Sequence, residues 1–503
     1  MAPAQWLSSR LHRQRHNYGQ CRRQNRQKQM TPTYKYLLWL ACWVVPLLAT
    51  QAQDTTQTLT LQEYQQVILA NHPVASQAAL LTEQARQELR MARGVLDPVL
   101  SSKLYRKEYG GKEYYNLWNN TLRVPLWFGP VLQAGFDKNT GQYLNPEHTM
   151  PSDGLSYAGI SVPLGQGLFI DERRATIQQA KLMQGIAEAE RVKTINKLLL
   201  QATKDYWEWL LQHRTAQLYQ EALELAAFRL QAVRIRAQEG DLAAIDTVEA
   251  LMALQDREVM LQQTQLALQN ARLQVAVHLW AEDQVPLELQ EGTAPALAGT
   301  EAAAVNPEEL QALLAAARRN HPELRKLGLK GEQLEVERRY AANKLLPKLN
   351  AEYNVLQRDF YLQPDVVEQD YLQGNYKLGL SFSIPLFLRE ERGKLQLTKI
   401  KQQANSLELV QQSREIENAV QAAYNELQAL EEQLQLQERM VANALTLRDG
   451  ELIRFQNGES SLFLINSREV KLLEAQAKLY AMRTKYAKAK TTLYWAAGEI
   501  PVE

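Results

Sequence analysis

Residues able to do chemistry are few and scattered in this 503-residue chain. Its two cysteines, Cys21 and Cys42, both lie before residue 53, so disulfide frameworks and thiol chemistry are excluded beyond that point. Five histidines follow (His72, His148, His213, His278 and His321), with no metal-ligand spacing among them. His72 and His321 each precede a proline, which reads as a helix start with Asn71 or Asn320 as N-cap and His-Pro in the first turn. The sharper alternative is a symmetric ring of pH-sensitive groups. Neither a glycine-rich phosphate loop nor a nucleophile elbow is present. The expectation is therefore no enzyme, no cofactor and no metal. What remains is charge near two glycines. Asp246 and Glu249 are three residues apart and share a helical face. Repeated around an axis, they would make rings of negative charge able to select cations, or be held by Arg234, Arg236 or Arg454. A solvated helix face is the plain alternative.

The N-terminus bounds the compartment. Residues 1–29 carry seven Arg/Lys and no acid, as a nucleic-acid arm or as an over-long start ahead of Met30. Leu37 to Ala49 is an apolar run following Lys35 and followed by Thr50-Gln51-Ala52, the pattern of a secretory signal peptide cleaved after Ala52. Losing residues 1–52 removes eight of 57 basic and none of 56 acidic residues, leaving a net charge of −7. Nucleic-acid binding wants the opposite sign. No later apolar run reaches the ~18 residues of a helical membrane span, which leaves a closed β-barrel as the one way to cross lipid.

The remainder is one unit written twice. Asn71-His72-Pro73 recurs as Asn320-His321-Pro322, and Pro98 as Pro347 at the same offset. Ser161-Val162-Pro163-Leu164 matches Ser383-Ile384-Pro385-Leu386, and Glu239-Gly240-Asp241 matches Asn457-Gly458-Glu459. The first repeat is 53–280, the linker 281–306, and the second repeat 307–503. Proline is absent from 164 to 285 and from 386 to 500, each tract having one convincing stop, at Gly240 and at Gly458. This predicts long helical hairpins over about 171–280 and 389–496, whose first arms (171–239 and 389–457) are 69 residues each. At ~1.5 Å per residue each is roughly 100 Å long. Seven-residue stripes run through all four arms, among them Leu211-Leu218-Leu225-Ala232, Leu254-Leu261-Leu268-Val275, Val420-Leu427-Leu434-Val441 and Ile465-Leu472-Leu479-Tyr486. Such a repeat packs as an antiparallel coiled-coil wall.

Strand-like sequence separates each opening helix from its hairpin. Leu349, Ala351, Tyr353 and Val355 alternate with polar neighbours, as do Tyr376, Leu378, Leu380, Phe382 and Ile384, within 348–385. The first repeat offers 98–108, 113–124, 130–138 and 155–164, within 98–164, with Tyr105, Tyr114, Tyr115, Trp118 and Trp127 placed as an aromatic girdle. Runs of this length with one apolar face suit lipid-facing strands. So few strands cannot close a barrel alone, so the chain must oligomerise.

By these landmarks, from Leu61-Gln62-Glu63 through Asn71 and Pro73, Pro98, the Pro-Leu pairs and the glycine turns, the chain resembles the TolC-type outer-membrane efflux protein family. The resemblance spans Leu59 to about Gly498. It implies a mainly α fold with a small β part and a duplicated helix–strand–strand–helix unit. Three copies would make a transmembrane β-barrel of twelve strands, continued by a coiled-coil α-barrel of twelve helices in the periplasm. The partners implied are a periplasmic adaptor and an inner-membrane transporter, and the function a passive duct for small molecules, metal ions or proteins. The competing reading is a periplasmic coiled-coil scaffold without channel activity. Gly240, Asp241, Leu242, Gly458, Glu459 and Ser460 become the adaptor-docking tips, and Asp246, Glu249, Arg234, Arg236 and Arg454 a periplasmic gate. Two departures stand out. Four strands in the first repeat would make eighteen per trimer or an extra hairpin beside the barrel, and the acid pair of the family's second tip (here Leu464 and Ser467) sits at the first tip instead.

Overall fold

The computed structural model describes residues 58–290, 292–296, 305–358 and 374–500. The leader expected over 1–52, and the middle of the linker, lie outside the described residues.

Thr58–Leu59 (β1) leads into helices Leu61–Asn71 (α1) and Pro73–Arg93 (α2). Thr60 caps α1 in a box with Glu63. The caps at the repeated Asn-His-Pro differ from expectation. Each asparagine ends the preceding helix, and the histidine itself is the N-cap: His72 Nδ1 accepts from Val74 N and His321 Nδ1 from Glu323 N. The ring nitrogen does what an asparagine oxygen would do, because proline at the next position starts the new helix.

The strands are Val99–Tyr109 (β2), Lys112–Pro125 (β3), Val131–Thr140 (β4) and Leu155–Pro163 (β5). Helices Glu172–Gln238 (α3) and Ala244–Ala276 (α4) follow as the first hairpin. In the linker, Ala294–Pro295 (β6) pairs in parallel with β1. Helices Pro307–Asn320 (α5) and Pro322–Asn343 (α6), strands Lys348–Arg358 (β7) and Tyr376–Ser383 (β8), and the hairpin Arg389–Gln456 (α7) and Leu462–Ala496 (α8) complete the second repeat. At 67 and 68 residues, α3 and α7 differ by one.

Six strands form one antiparallel sheet in the order β2-β3-β4-β5-β7-β8. The first repeat thus carries the unit with an extra hairpin, giving the larger of the two strand counts the sequence left open. The halves join where β5 pairs with β7, Ser161 opposite Glu352.

Among the described residues the helical core falls into three clusters, two at equivalent positions of the two repeats and a third nearer the turns. Tyr64, Ile68, Leu199, Tyr206, Trp209 and Val275 fill the first repeat, and Val420, Leu427, Leu430, Tyr486 and Leu493 the second. Tyr206 donates to Leu59 O at 2.9 Å, and burial pushes its phenol up to about 12. Near the turns, Leu230, Val233, Ala250 and Leu462 bring α3, α4 and α8 together. The second repeat's stripes, Val420-Leu427-Leu434 and Ile465-Leu472-Leu479-Tyr486, are buried, whereas Leu225 of the first is exposed.

Candidate functional site

The two hairpin turns end their helices in the same way. Gly240 and Gly458 take positive φ (+85° and +78°), and the next residue's N–H reaches five residues back, Asp241 to Arg236 O at 2.9 Å and Glu459 to Arg454 O at 2.8 Å. This is the Schellman closure, which places a left-handed residue where glycine is cheapest. Around that shared backbone the side chains differ. At the first turn, Leu242 packs against the cluster containing Val233. At the equivalent positions of the second turn, Ser460 donates to Glu451 Oε1 at 2.5 Å. Glu451 is buried, and the Ser460 hydroxyl, then Arg454 at 3.8 Å and Arg468 at 3.7 Å, hold its carboxyl below the ordinary range.

The charged residues picked out by sequence have specific partners. Asp246 accepts from Ala243 N at 3.2 Å and so caps α4, and Glu249 accepts from Asn466 Nδ2 at 3.1 Å, tying α4 to α8. None of the three arginines holds them. Arg236 lies over the Phe455 ring at 5.7 Å, Arg454 turns to Glu451, and Arg234 is exposed. A tie that the sequence could not signal joins residues 240 positions apart: Arg229 of α3 and Glu469 of α8 make a bidentate pair, each about 15% exposed (16% and 14%). It borders a cleft of about 240 Å³ between the hairpins, with Arg257, Arg448 and Tyr480. Two of the five histidines also meet. His72 and His278 have ring centroids 5.9 Å apart, and His278 Nε2 lies 2.9 Å from Asp205. Among the described residues no group of three or more His, Cys, Asp or Glu is placed to hold a metal.

The sheet has two chemically distinct faces. Cross-strand partners share a face. One face carries Leu100, Leu104, Trp118, Leu122 and Val124 of β2 and β3, Leu132 and Phe136 of β4, and Ile160 and Val162 of β5. It continues through Tyr353 and Val355 of β7 to Leu378, Leu380 and Phe382 of β8. The other face carries Arg123, Gln133, Asp137, Asn354, Glu352 and Lys377. Gln133 Nε2 donates to Asn354 at 2.8 Å and to Glu352 at 2.5 Å. The apolar face is the outward one: in the middle of the sheet Leu122 and Leu132 are exposed, whereas Gln133 and Asn354 of the other face are buried. A surface that is apolar outside and polar inside inverts the pattern of a water-soluble sandwich and matches a barrel in lipid.

The helix-side rim of this sheet is built by a clamp. Asp171 caps α3, accepting from Arg174 N at 2.9 Å and binding both Arg173 and Arg174. Burial opposes ionisation of Asp171, but these hydrogen bonds outweigh it and the carboxyl sits below the usual range. The two guanidiniums donate to Gly129 O (2.6 Å) and Phe128 O (3.4 Å), fastening the β3–β4 turn to the start of α3. Trp127, Phe169, Leu386 and Phe387 stand exposed at the strand–helix junctions, with Arg389 over Phe387 at 5.0 Å. Paired aromatics occupy the far end: Tyr114 with Tyr143, and Tyr353 with Tyr376.

Residues 313–499 match the family model of the outer membrane efflux protein. The match covers the second repeat, from within its opening helices to the end of its long hairpin. Solved structures of the same fold include the outer membrane channel CmeC of Campylobacter jejuni (14% identity, covering 87% of this chain and 85% of that one, TM-score 0.58). The open-state MtrE outer membrane channel of Neisseria gonorrhoeae (15%, 87% and 88%, 0.59) and VceC of Vibrio cholerae (14%, 88% and 97%, 0.57) are also similar. No curated protein matches. The fold is that of these channels, mostly helical with a smaller strand region, as the landmarks of the sequence predicted. Among the described residues no helix is long and apolar enough to cross a membrane.

Proposed function

We propose that the chain is a passive export duct: a homotrimer whose sheets close into a barrel in the outer membrane, and whose hairpins form a tube reaching through the periplasm to an adaptor and an inner-membrane transporter. The observation that carries this is the exposed apolar face of the sheet, which in water would cost about 25 cal/mol per Å². Bare stripes on the helices support the same reading. On α4, Ile245, Val248, Met252, Val259, Leu266 and Leu273 are exposed at three-, four- and seven-residue steps, two positions round from the inward seam of Leu254, Leu261 and Leu268. Leu436, Met440 and Leu447 do likewise on α7. A helix with two apolar seams needs a neighbour on each side, as in the wall of a tube.

Within this reading the turns at Gly240, Asp241, Leu242, Gly458, Glu459 and Ser460 are the adaptor-docking tips. Asp246 and Glu249, three copies of each, line the periplasmic mouth and favour cations, while Arg454, Arg234 and Arg236 set the surrounding charge. The test is reconstitution into planar bilayers. The purified trimer is expected to open cation-preferring channels, with altered selectivity or higher conductance after Asp246→Ala plus Glu249→Ala. A detergent-independent, non-conducting monomer would overturn the duct. Unchanged conductance and selectivity in the variant would remove the gate alone.

A further inference from the structure

We infer that each copy closes onto the next by pairing its β2 edge with the neighbour's β8 edge, so that the trimer is an eighteen-stranded barrel. This rests on the trimeric duct proposed above. The first support is that the added hairpin is built as wall. β2 and β3, at 11 and 14 residues, are as long as the 11-residue β7. β3 covers the whole of β4's outer edge, from Asn116–Thr140 to Pro125–Val131. The turn between β3 and β4 returns to the helix side, where Arg173 and Arg174 grip it. A hairpin lying outside the barrel would have to strip that edge, and an unpaired edge in lipid is not tolerated.

Strand direction and chemistry both continue across the proposed seam. β2 runs away from the helices and β8 returns to them, so the two edges meet antiparallel like every other pair in the sheet. Both edges keep the same two faces, with Leu100 and Leu104 on β2 and Leu378 and Phe382 on β8 bearing the apolar one, all exposed where a neighbour is missing.

Register follows from the sheet's own stagger. One row of paired residues runs Val99, Arg123, Gln133, Gly159, Asn354, Lys377. It begins at the helix-side end of β2 and arrives on β8 six positions from that strand's helix-side end, Ser383. With helix-side ends level, Ser383 meets Val99 of the next copy, and Ser381 meets Ser101. A climb of six residues of about 3.3 Å over six gaps of about 4.7 Å tilts the strands about 35°, within the range of membrane barrels. Parity is kept: Phe382 meets Leu100 on the lipid side, and Ser381 meets Ser101 inside. A barrel of this size leaves an open aqueous channel.

The chain beyond residue 52 has no native cysteine, which makes cross-linking clean. The test uses the full-length protein in membranes with paired cysteines: Ser101→Cys with Ser381→Cys, and Leu100→Cys with Phe382→Cys. Adjacent antiparallel pairs alternate in Cα separation, so one of the two suits a disulfide. The comparison pairs join β4 to β8, as a four-strand protomer would: Gln133→Cys with Ser381→Cys, and Leu132→Cys with Phe382→Cys. Oxidation is expected to give a covalent trimer from a β2–β8 pair and none from the β4–β8 pairs. Trimers from β4–β8 pairs, an intact trimer with no β2–β8 link, or a link within one chain would each overturn the inference while leaving the duct standing. Absence of any trimer in the single-cysteine controls would overturn the duct reading as well.

Discussion

Among the described residues, the two repeats agree to within one residue in their long helices yet differ by a whole hairpin in their strands, four against two. The contrast follows from what each part must satisfy. A long helix has two fixed ends. α3 and α7 both start at the sheet's rim and must turn back at one height, because Arg229–Glu469 and Glu249–Asn466 lock one hairpin to the other. A strand hairpin returns the chain to the side it left, so strands can be added in pairs without moving any helix. Length is constrained where elements are tied in parallel, and number is free where they are added around a ring.

The largest effect should come from breaking that parity of length. A seven-residue insertion after Leu218 in α3, matched by one after Leu261 in α4, keeps each seam in phase but lifts Gly240 about 10 Å past Gly458. The first-repeat cluster below should survive, while the cluster of Leu230, Val233, Ala250 and Leu462 and both polar ties are lost. Thermal unfolding of the detergent-held trimer should drop steeply. Matching insertions after Leu434 in α7 and Leu479 in α8 should restore most of it. Equal melting of the one-sided and two-sided variants would show that the hairpins are not locked.

Next is the lock itself. Arg229→Ala leaves the Glu469 side chain without its partner in a site where both are mostly covered, a loss of roughly 3 to 5 kcal/mol for a buried pair that loses one member. Arg229→Met with Glu469→Leu should recover most of that loss, since the desolvation cost disappears with the charge. Denaturant unfolding of the two variants decides it. A double variant as unstable as the single would mean that the ion pair is net favourable at this site.

These ties also mark the limit of what the sequence disclosed. The rods, their glycine stops and the alternating strands were legible because each is a local periodicity or a local break in one. The extra hairpin was legible as length and alternation, but its place in the sheet was not, since that depends on Arg173 and Arg174 meeting a turn more than forty residues away. Arg229 and Glu469 are two ordinary charges on helices until the hairpins are laid side by side. His72 and His321 were misassigned within the first turn because Asn is the commoner cap, and only the fold reveals the imidazole nitrogen in that role. Asp246 and Glu249 do share a face, as spacing demanded, but the sequence could not tell that one caps its helix and the other crosses to α8.

The glycines should show the repeats behaving alike. Nothing lies within 4 Å of a Cβ added at Gly240 or at Gly458, so Gly→Ala at either turn meets only the cost of left-handed backbone, about 1–2 kcal/mol. Equal losses on separate substitution would confirm that the two turns share one backbone requirement. A much larger loss at one turn would mean that its side chains, and not its backbone, set the geometry.

The smallest effect separates the turns again. Positions equivalent to Val233 and Leu242 in the first repeat are Glu451 and Ser460 in the second, so only the second tip carries a buried carboxylate. Its carboxyl is held below the ordinary value in the folded state, so as pH falls the unfolded chain takes up the proton first. The stabilisation is full above the ordinary carboxylate value near 4.5 and is lost as pH drops through the lowered folded value. Between about pH 5 and 3 the melting temperature of the wild type should therefore fall more steeply than that of Glu451→Gln, with the two curves converging at the acid end. Val233→Ala at the first tip should instead lower the curve by an amount that does not change with pH. A Glu451→Gln profile parallel to the wild type would place the acid sensitivity in other carboxylates and leave the second tip no more pH-dependent than the first.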